Sequence, residues 1–136
     1  MTDKDYLKLA IKKGNEVRAP YNFGAVVVRD GEVIGVDHAH VGDEFDPSAH
    51  SEVCAMRQAG KALGSWQLPG CTLYASHEPC TMCLACAAWA EIERIVFVTP
   101  ASEQKEVMYE FKQPDIFTLS KGLRNPMKVE QMDLEI

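Results

Sequence analysis

Two short strings, 32 residues from start to start, each carry metal-ligating side chains at what reads as the start of a helix. The first is Asp46-Pro47-Ser48-Ala49-His50-Ser51-Glu52; the second is Glu78-Pro79-Cys80-Thr81-Met82-Cys83-Leu84. Asp46 is a capping residue and Pro47 a first-turn proline for the segment carrying His50, and Pro79 suits the entry to a helix carrying the cysteines. Cys80 and Cys83 are three apart and so share one helix face. Amide dipoles at a helix start favour negative charge and lower thiol pKa values. A fold that uses all three residues has to bring two helix starts face to face.

One imidazole and two thiolates form a three-ligand set suited to zinc. A structural zinc site normally closes with four protein ligands, whereas a catalytic one leaves the fourth place to water. Zinc lowers the pKa of bound water from ~15.7 toward ~7. Glu52, two residues after the imidazole and not needed as a ligand, is the candidate to move protons to and from that water. Other readings of the cysteines exist. A lone C-x-x-C is also a redox pair. Cys80, Cys83 and Cys86 form a C-x-x-C-x-x-C run, but the bacterial iron–sulfur pattern wants a fourth cysteine followed by proline, and none follows Cys86. Cys86 lies among small apolar residues, the ordinary setting of a buried thiol. A structural zinc knot recruiting Cys54 would leave Glu52 idle.

The chain has 136 residues, enough for one domain over 1–136 with a proper core. No apolar run approaches membrane-spanning length, and the N-terminus lacks the apolar stretch of a secretion signal. Five cysteines is an odd number, which fits a reducing cytoplasm better than a disulfide framework. A net charge of −6 argues against a large nucleic-acid footprint, since phosphate contacts need clustered Lys and Arg. A small molecule is the expected partner.

Thr2-Asp3-Lys4-Asp5 reads as a capping box, followed by Leu7, Ala10, Ile11 and Val17 at helical spacing, with Lys4, Lys8 and Lys12 on a solvated face. Residues 23–28 form an apolar run typical of a buried strand. Asp30-Gly31 is a hairpin signal, and residues 32–36 return as the second strand. His50 to Leu63 reads as a helix ending at Gly64. Residues 71–75 and 95–98 are strands flanking a helix that runs from Cys80 to about Ile92. Residues 102–111 are a further helix candidate, 112–126 look loop-rich, and 127–134 alternate as a last strand. Strands alternating with helices imply an α/β layered domain with a hairpin at its start.

His50-Ser51-Glu52 with Pro79-Cys80-Thr81-Met82-Cys83 is the H-x-E and P-C-x-x-C combination of the zinc-dependent base deaminases. In its order of elements the chain resembles the cytidine deaminase-like superfamily over roughly residues 5–100. The two motif strings, together with Phe23-Gly24-Ala25-Val26 and Trp89-Ala90, look most like bacterial guanine deaminases; tRNA adenosine deaminases share much of the pattern. The resemblance implies a three-layer α/β/α sandwich with a mixed five-stranded sheet, one Zn²⁺ per subunit and a homodimer. It implies zinc ligation by His50, Cys80 and Cys83 and proton transfer by Glu52. It places Ser51 at the substrate, Phe23 and Trp89 as aromatic walls of a base pocket, and Glu110 at the purine edge. The alternatives are core packing for Phe23 and Trp89 and solvated helix surface for Glu110.

There are departures from the family pattern. Ala39 stands where the family usually has a substrate-holding asparagine, and a methyl group cannot make an amide's two-way contact. His38 and His40 flank it and are candidates to replace it. Asn22 stands where proline usually precedes Phe-Gly, and the chain stops at Ile136, short of the extended tail that closes the pocket in guanine deaminases. Deamination of a free amino-substituted purine or similar heterocycle is the expected activity, with guanine the first substrate to try. The competing expectations are cytosine or cytidine deamination, deamination of adenosine in tRNA, and a non-catalytic zinc-stabilised binding module.

Overall fold

Strand β1 (Gly24–Arg29) forms the middle of the hydrophobic interior, and its run of buried residues explains its near-continuous apolar sequence. It pairs antiparallel on one side with β2 (Glu32–His38) and on the other with β3 (Cys71–His77). β4 (Arg94–Thr99) and β5 (Lys128–Gln131) then add in parallel, giving a mixed five-stranded sheet in the order β2-β1-β3-β4-β5. The computed structural model describes residues 1–104, 108–111 and 114–134. Asp30 and Gly31, with φ of 49° and 76°, form the tight turn that the Asp-Gly pair predicts.

Successive strand residues face opposite ways, and this splits the interior into two cores. Val26, Val28, Tyr74 and Val96 meet helix α1 (Asp3–Gly14) through Tyr6, Leu7 and Ala10. Ala25, Val27, Leu73, Ile95 and Phe97 face α2 (Ser51–Leu63), α3 (Thr81–Trp89) and the short α4 (Ile116–Lys121). The result is the expected three-layer sandwich. α1 begins with the reciprocal capping box of Thr2 and Asp5, and its Lys4, Lys8 and Lys12 are exposed as expected. α2 lies so close to β2 that a Cβ on Gly35 would overlap the carbonyl oxygen of Ala55. Glycine at that position lets the helix that carries Glu52 seat on the sheet. α2 closes at Gly64 in the left-handed conformation, φ 65°.

Four expectations are corrected. Of the 102–111 helix, the described residues show a 3₁₀ turn over Ala101–Glu103, after which Gln104 is extended; residues 105–107 lie outside the described ones. The loop-rich stretch contains α4, capped by Asp115, whose side chain accepts from the Thr118 N–H at 2.9 Å. Its six residues are too few to show a helical period, and Pro114 and Gly122 bracket it instead of breaking it. α3 ends at Trp89, short of Ile92. α1 also ends before Val17, which borders a cavity instead. Among the described residues, no helix is long and apolar enough to cross a membrane.

Candidate functional site

His50 is the N-cap of α2 and Cys80 the N-cap of α3, both in extended conformation, so the two helix starts do meet. β3 delivers the chain to Glu78-Pro79-Cys80, and Cys83 sits one turn into α3, fully buried. His50 Nδ1 lies 3.5 Å from Cys80 Sγ and 3.5 Å from Cys83 Sγ. A tetrahedral zinc with ~2.3 Å sulfur and ~2.0–2.1 Å nitrogen bonds sets those atoms roughly 3.5 Å apart. The donor set therefore fits zinc in spacing as well as in chemistry. The Cys80 thiol is held down to about 4, first by a bond from Cys83 and then by His50, against burial. That same bond, with burial, pushes Cys83 up.

A cavity of about 710 Å³ opens on this cluster and includes His50, Glu52 and Cys80 in its wall. Glu52 is buried, and burial raises its pKa, while Ser51 Oγ donates to its carboxylate. Phe23 forms part of the wall and packs edge-on to His77, ring centroids 4.4 Å apart. His77 is bonded to Ser76 Oγ at 2.7 Å, and Ser76 Oγ accepts from the Gly24 N–H at 2.9 Å. The aromatic wall is thus pinned to the start of β1.

The structure brings Phe23, His38, Ser51 and Glu52 together around one cavity with His50 and Cys80. It does not bring Trp89, Glu110 or the ring of His40 there. Trp89 lies six residues beyond Cys83, roughly 9 Å along the helix axis and on another face. It is 75% exposed and borders a separate cavity with Trp66, Ala85 and Ala88. Glu110 lines an adjoining cavity of about 740 Å³ with Phe111 and Ile116, which shares Glu78, Cys80 and Tyr109 with this one. The ring of His40 is drawn aside by Asp37 and Asp43. Sequence reasoning overlooked Tyr109, next to Glu110. Tyr109 borders the metal-side cavity, and its hydroxyl donates to the Glu78 carbonyl. Glu78 was overlooked too, although its place beside the Pro79-Cys80 motif was a usable signal. Tyr21 and Met108, also in this wall, had none.

Two helix starts that present an imidazole and two thiolates, beside a buried carboxyl group, define a zinc-site α/β sandwich. Residues 1–99 match the cytidine and deoxycytidylate deaminase zinc-binding region, and the chain belongs to that family. Guanine deaminase from Bacillus subtilis is 41% identical over 88 residues, 65% of this chain and 56% of that protein. The tRNA-specific adenosine deaminase of the same organism is 39% identical over 97 residues, 70% of this chain and 60% of that protein. The chain therefore spans somewhat over half the length of these relatives. The X-ray structure of Bacillus subtilis guanine deaminase superposes with a TM-score of 0.74 at 33% identity, covering 100% of this chain and 87% of that one. Zinc is the cofactor that the family and the donor set share.

Proposed function

We propose that this chain is a hydrolytic deaminase of a free amino-substituted purine or similar heterocycle, with guanine the first substrate to test. The observation that carries the reading is the buried Glu52 carboxyl group in one cavity wall with His50 and Cys80. Zinc held by His50, Cys80 and Cys83 supplies Lewis acidity that makes water nucleophilic near neutral pH. Glu52 takes a proton from the attacking water, passes it to the ring nitrogen, and then carries the proton of the newly added hydroxyl to the departing amine. The amino-bearing carbon gains oxygen and loses ammonia, so water and substrate give the oxo product and NH₃. Ser51 orients the Glu52 carboxylate, and Phe23 offers an aromatic surface to a flat ring.

A second reading, deamination of adenosine in tRNA, draws support from the similarity to tRNA-specific adenosine deaminases. The acidic balance argued against nucleic acid; these relatives reopen that question. The cavity itself favours a phosphate-free substrate. Glu16, Asp43 and Glu78 border it, and no Lys or Arg does among the described residues. Phosphate contacts draw on such cations.

The test is ammonia release by the zinc-loaded chain from guanine, other aminopurines, cytosine, cytidine and a tRNA anticodon stem-loop. Turnover of a free base supports the reading, and turnover of RNA alone replaces it with the second. Zinc with no turnover on any of these leaves a binding module. Glu52→Gln should retain zinc and lose activity by ~10²–10⁴-fold. Full activity in that variant removes Glu52 from the reaction.

A further inference from the structure

The segment leaving β2 builds one wall of the cavity and carries two stacked imidazoles. His40 is the buttress. Its Nε2 lies 2.8 Å from Asp37 Oδ1 and its Nδ1 2.9 Å from Asp43 Oδ2, so both nitrogens donate to carboxylates. Its pKa is raised, first by the bond to Asp43 and then by that to Asp37. Asp37 is anchored to α2, since Gln58 Nε2 donates to its other oxygen at 3.0 Å. The His40 backbone N–H donates to the carbonyl of Ala49, beside the ligand His50, at 2.9 Å. This ring is therefore fixed to β2, to α2 and to the approach to the metal site.

His38 rests on that buttress, ring centroids 4.2 Å apart, and borders the cavity. Its Nδ1 lies 2.8 Å from the carbonyl oxygen of Ala39. A carbonyl only accepts, so Nδ1 carries the hydrogen and Nε2 of the neutral ring keeps its lone pair. Among the described residues, Nε2 has no partner. Each carboxylate on this wall already accepts from one partner. Glu16 pairs with Lys13 at 3.1 Å, Asp43 with His40 at 2.9 Å, and Glu78 accepts from the Ala101 N–H at 3.1 Å. Glu52 accepts from Ser51, and Ala39, Val41 and Gly42 bring no polar side chain.

The geometry points to His38 as the residue that recognises the substrate, its Nε2 accepting a hydrogen bond from an N–H of the heterocycle, with His40 as its positioning residue. This rests on the deaminase reading and adds a substrate class to it: heterocycles with a ring N–H or exocyclic N–H on the edge turned to β2. A methyl group in place of that hydrogen removes the bond.

The experiment measures kcat/KM for ammonia release by the zinc-loaded full chain. The substrates are guanine and its 1-, 7- and 9-methyl derivatives, or the corresponding N-methyl series of whichever heterocycle the chain turns over. The unaltered protein should disfavour one N-methyl derivative by roughly tenfold or more. His38→Ala should erase that ratio by slowing the parent while leaving the methylated compound unchanged. His38→Gln, which keeps an acceptor, should restore part of it. His40→Ala should weaken the same ratio with His38 in place, and a ratio between two substrates is insensitive to the fraction of folded protein. Equal rates across the N-methyl series overturn the recognition role. So does an equal loss on both compounds in His38→Ala, or a gain on the methylated one, which would mean only a relieved clash. In each of those cases deamination itself stands. Absence of ammonia from every compound removes the deaminase reading, and His38's role falls with it.

Discussion

Backbone position does much of the work at the metal cluster. His50 and Cys80 are both N-caps, so each ligand side chain leaves the backbone just ahead of a helix and its free amides. Cys83 follows one turn later and is fully buried, whereas Cys86, a further turn on, packs against the main core. Residue type alone does not separate these three cysteines; their position along α3 does. Cys80→Ser and Cys83→Ser should each drop bound zinc well below one per chain, while Cys86→Ala should keep it. Elemental analysis of protein purified without chelators decides this, and a loss in Cys86→Ala would bring that thiol into the ligand set. The grouping of His50, Cys80, Cys83 and Glu52 was legible because metal chemistry restricts both residue type and spacing. The walls were legible only in part: Phe23, His38 and Ser51 were named, but Tyr21, Met108 and Tyr109 were not, because only the path of the chain decides which residues line a cavity. Tyr109 and Glu110 are neighbours in an irregular segment; Tyr109 borders the cavity that holds Glu52, and Glu110 borders only the adjoining one, which shares Cys80 with it.

Arg94 ties three elements together. From the start of β4 its guanidinium donates to both oxygens of Asp3 in the first turn of α1, at 2.9 and 2.8 Å. It also donates to both oxygens of Glu130 in β5, at 3.0 and 3.1 Å. Tyr74 of β3 donates to Asp3 as well, at 2.6 Å. Hydrogen bonding to Arg94 is the leading cause that lowers the pKa of Asp3 and of Glu130. Carboxylates with a lowered folded-state pKa stabilise the fold fully above their unfolded values, near ~4, and lose that contribution as pH falls through the folded ones. Arg94→Met should cost about 1–2 kcal/mol at neutral pH. It should also flatten the loss of stability below about pH 4. Urea unfolding at pH 7 and at pH 3 checks both, and a variant curve parallel to the original removes the network from the acid response. None of these pairings shows in the sequence, since Asp3 and Arg94 are partners across 91 positions. The elements themselves were visible in their periodicity: the apolar run of β1, the Asp-Gly hairpin, and the amphipathic α1 and α2. Period failed where elements are short, as in α4, or where a 3₁₀ turn gives way to extended chain after Glu103.

The sandwich places α1 on one face of the sheet and α2 and α3, which carry the candidate zinc ligands, on the other, with separate cores. Zinc held by His50, Cys80 and Cys83 would cross-link two helices of a single layer, joining residues 50 and 80–83 across a long stretch of chain. A ligand bound only by the folded state, at a concentration one hundred times its Kd, stabilises by about 2.7 kcal/mol. For a domain of this size that corresponds to roughly 10 °C in Tm. Chelation should lower Tm by that order and loosen the structure unevenly. Amide exchange should quicken at the first turns of α2 and α3 and in the segment leading from β3 to Cys80. The α1 layer, which meets the sheet through its own core and the Thr2–Asp5 capping box, should keep its protection. Hydrogen exchange with and without zinc separates the two layers directly. Equal acceleration in α1 and α3 would show that both cores open as one unit, and the metal would then hold the entire sandwich instead of one face of it.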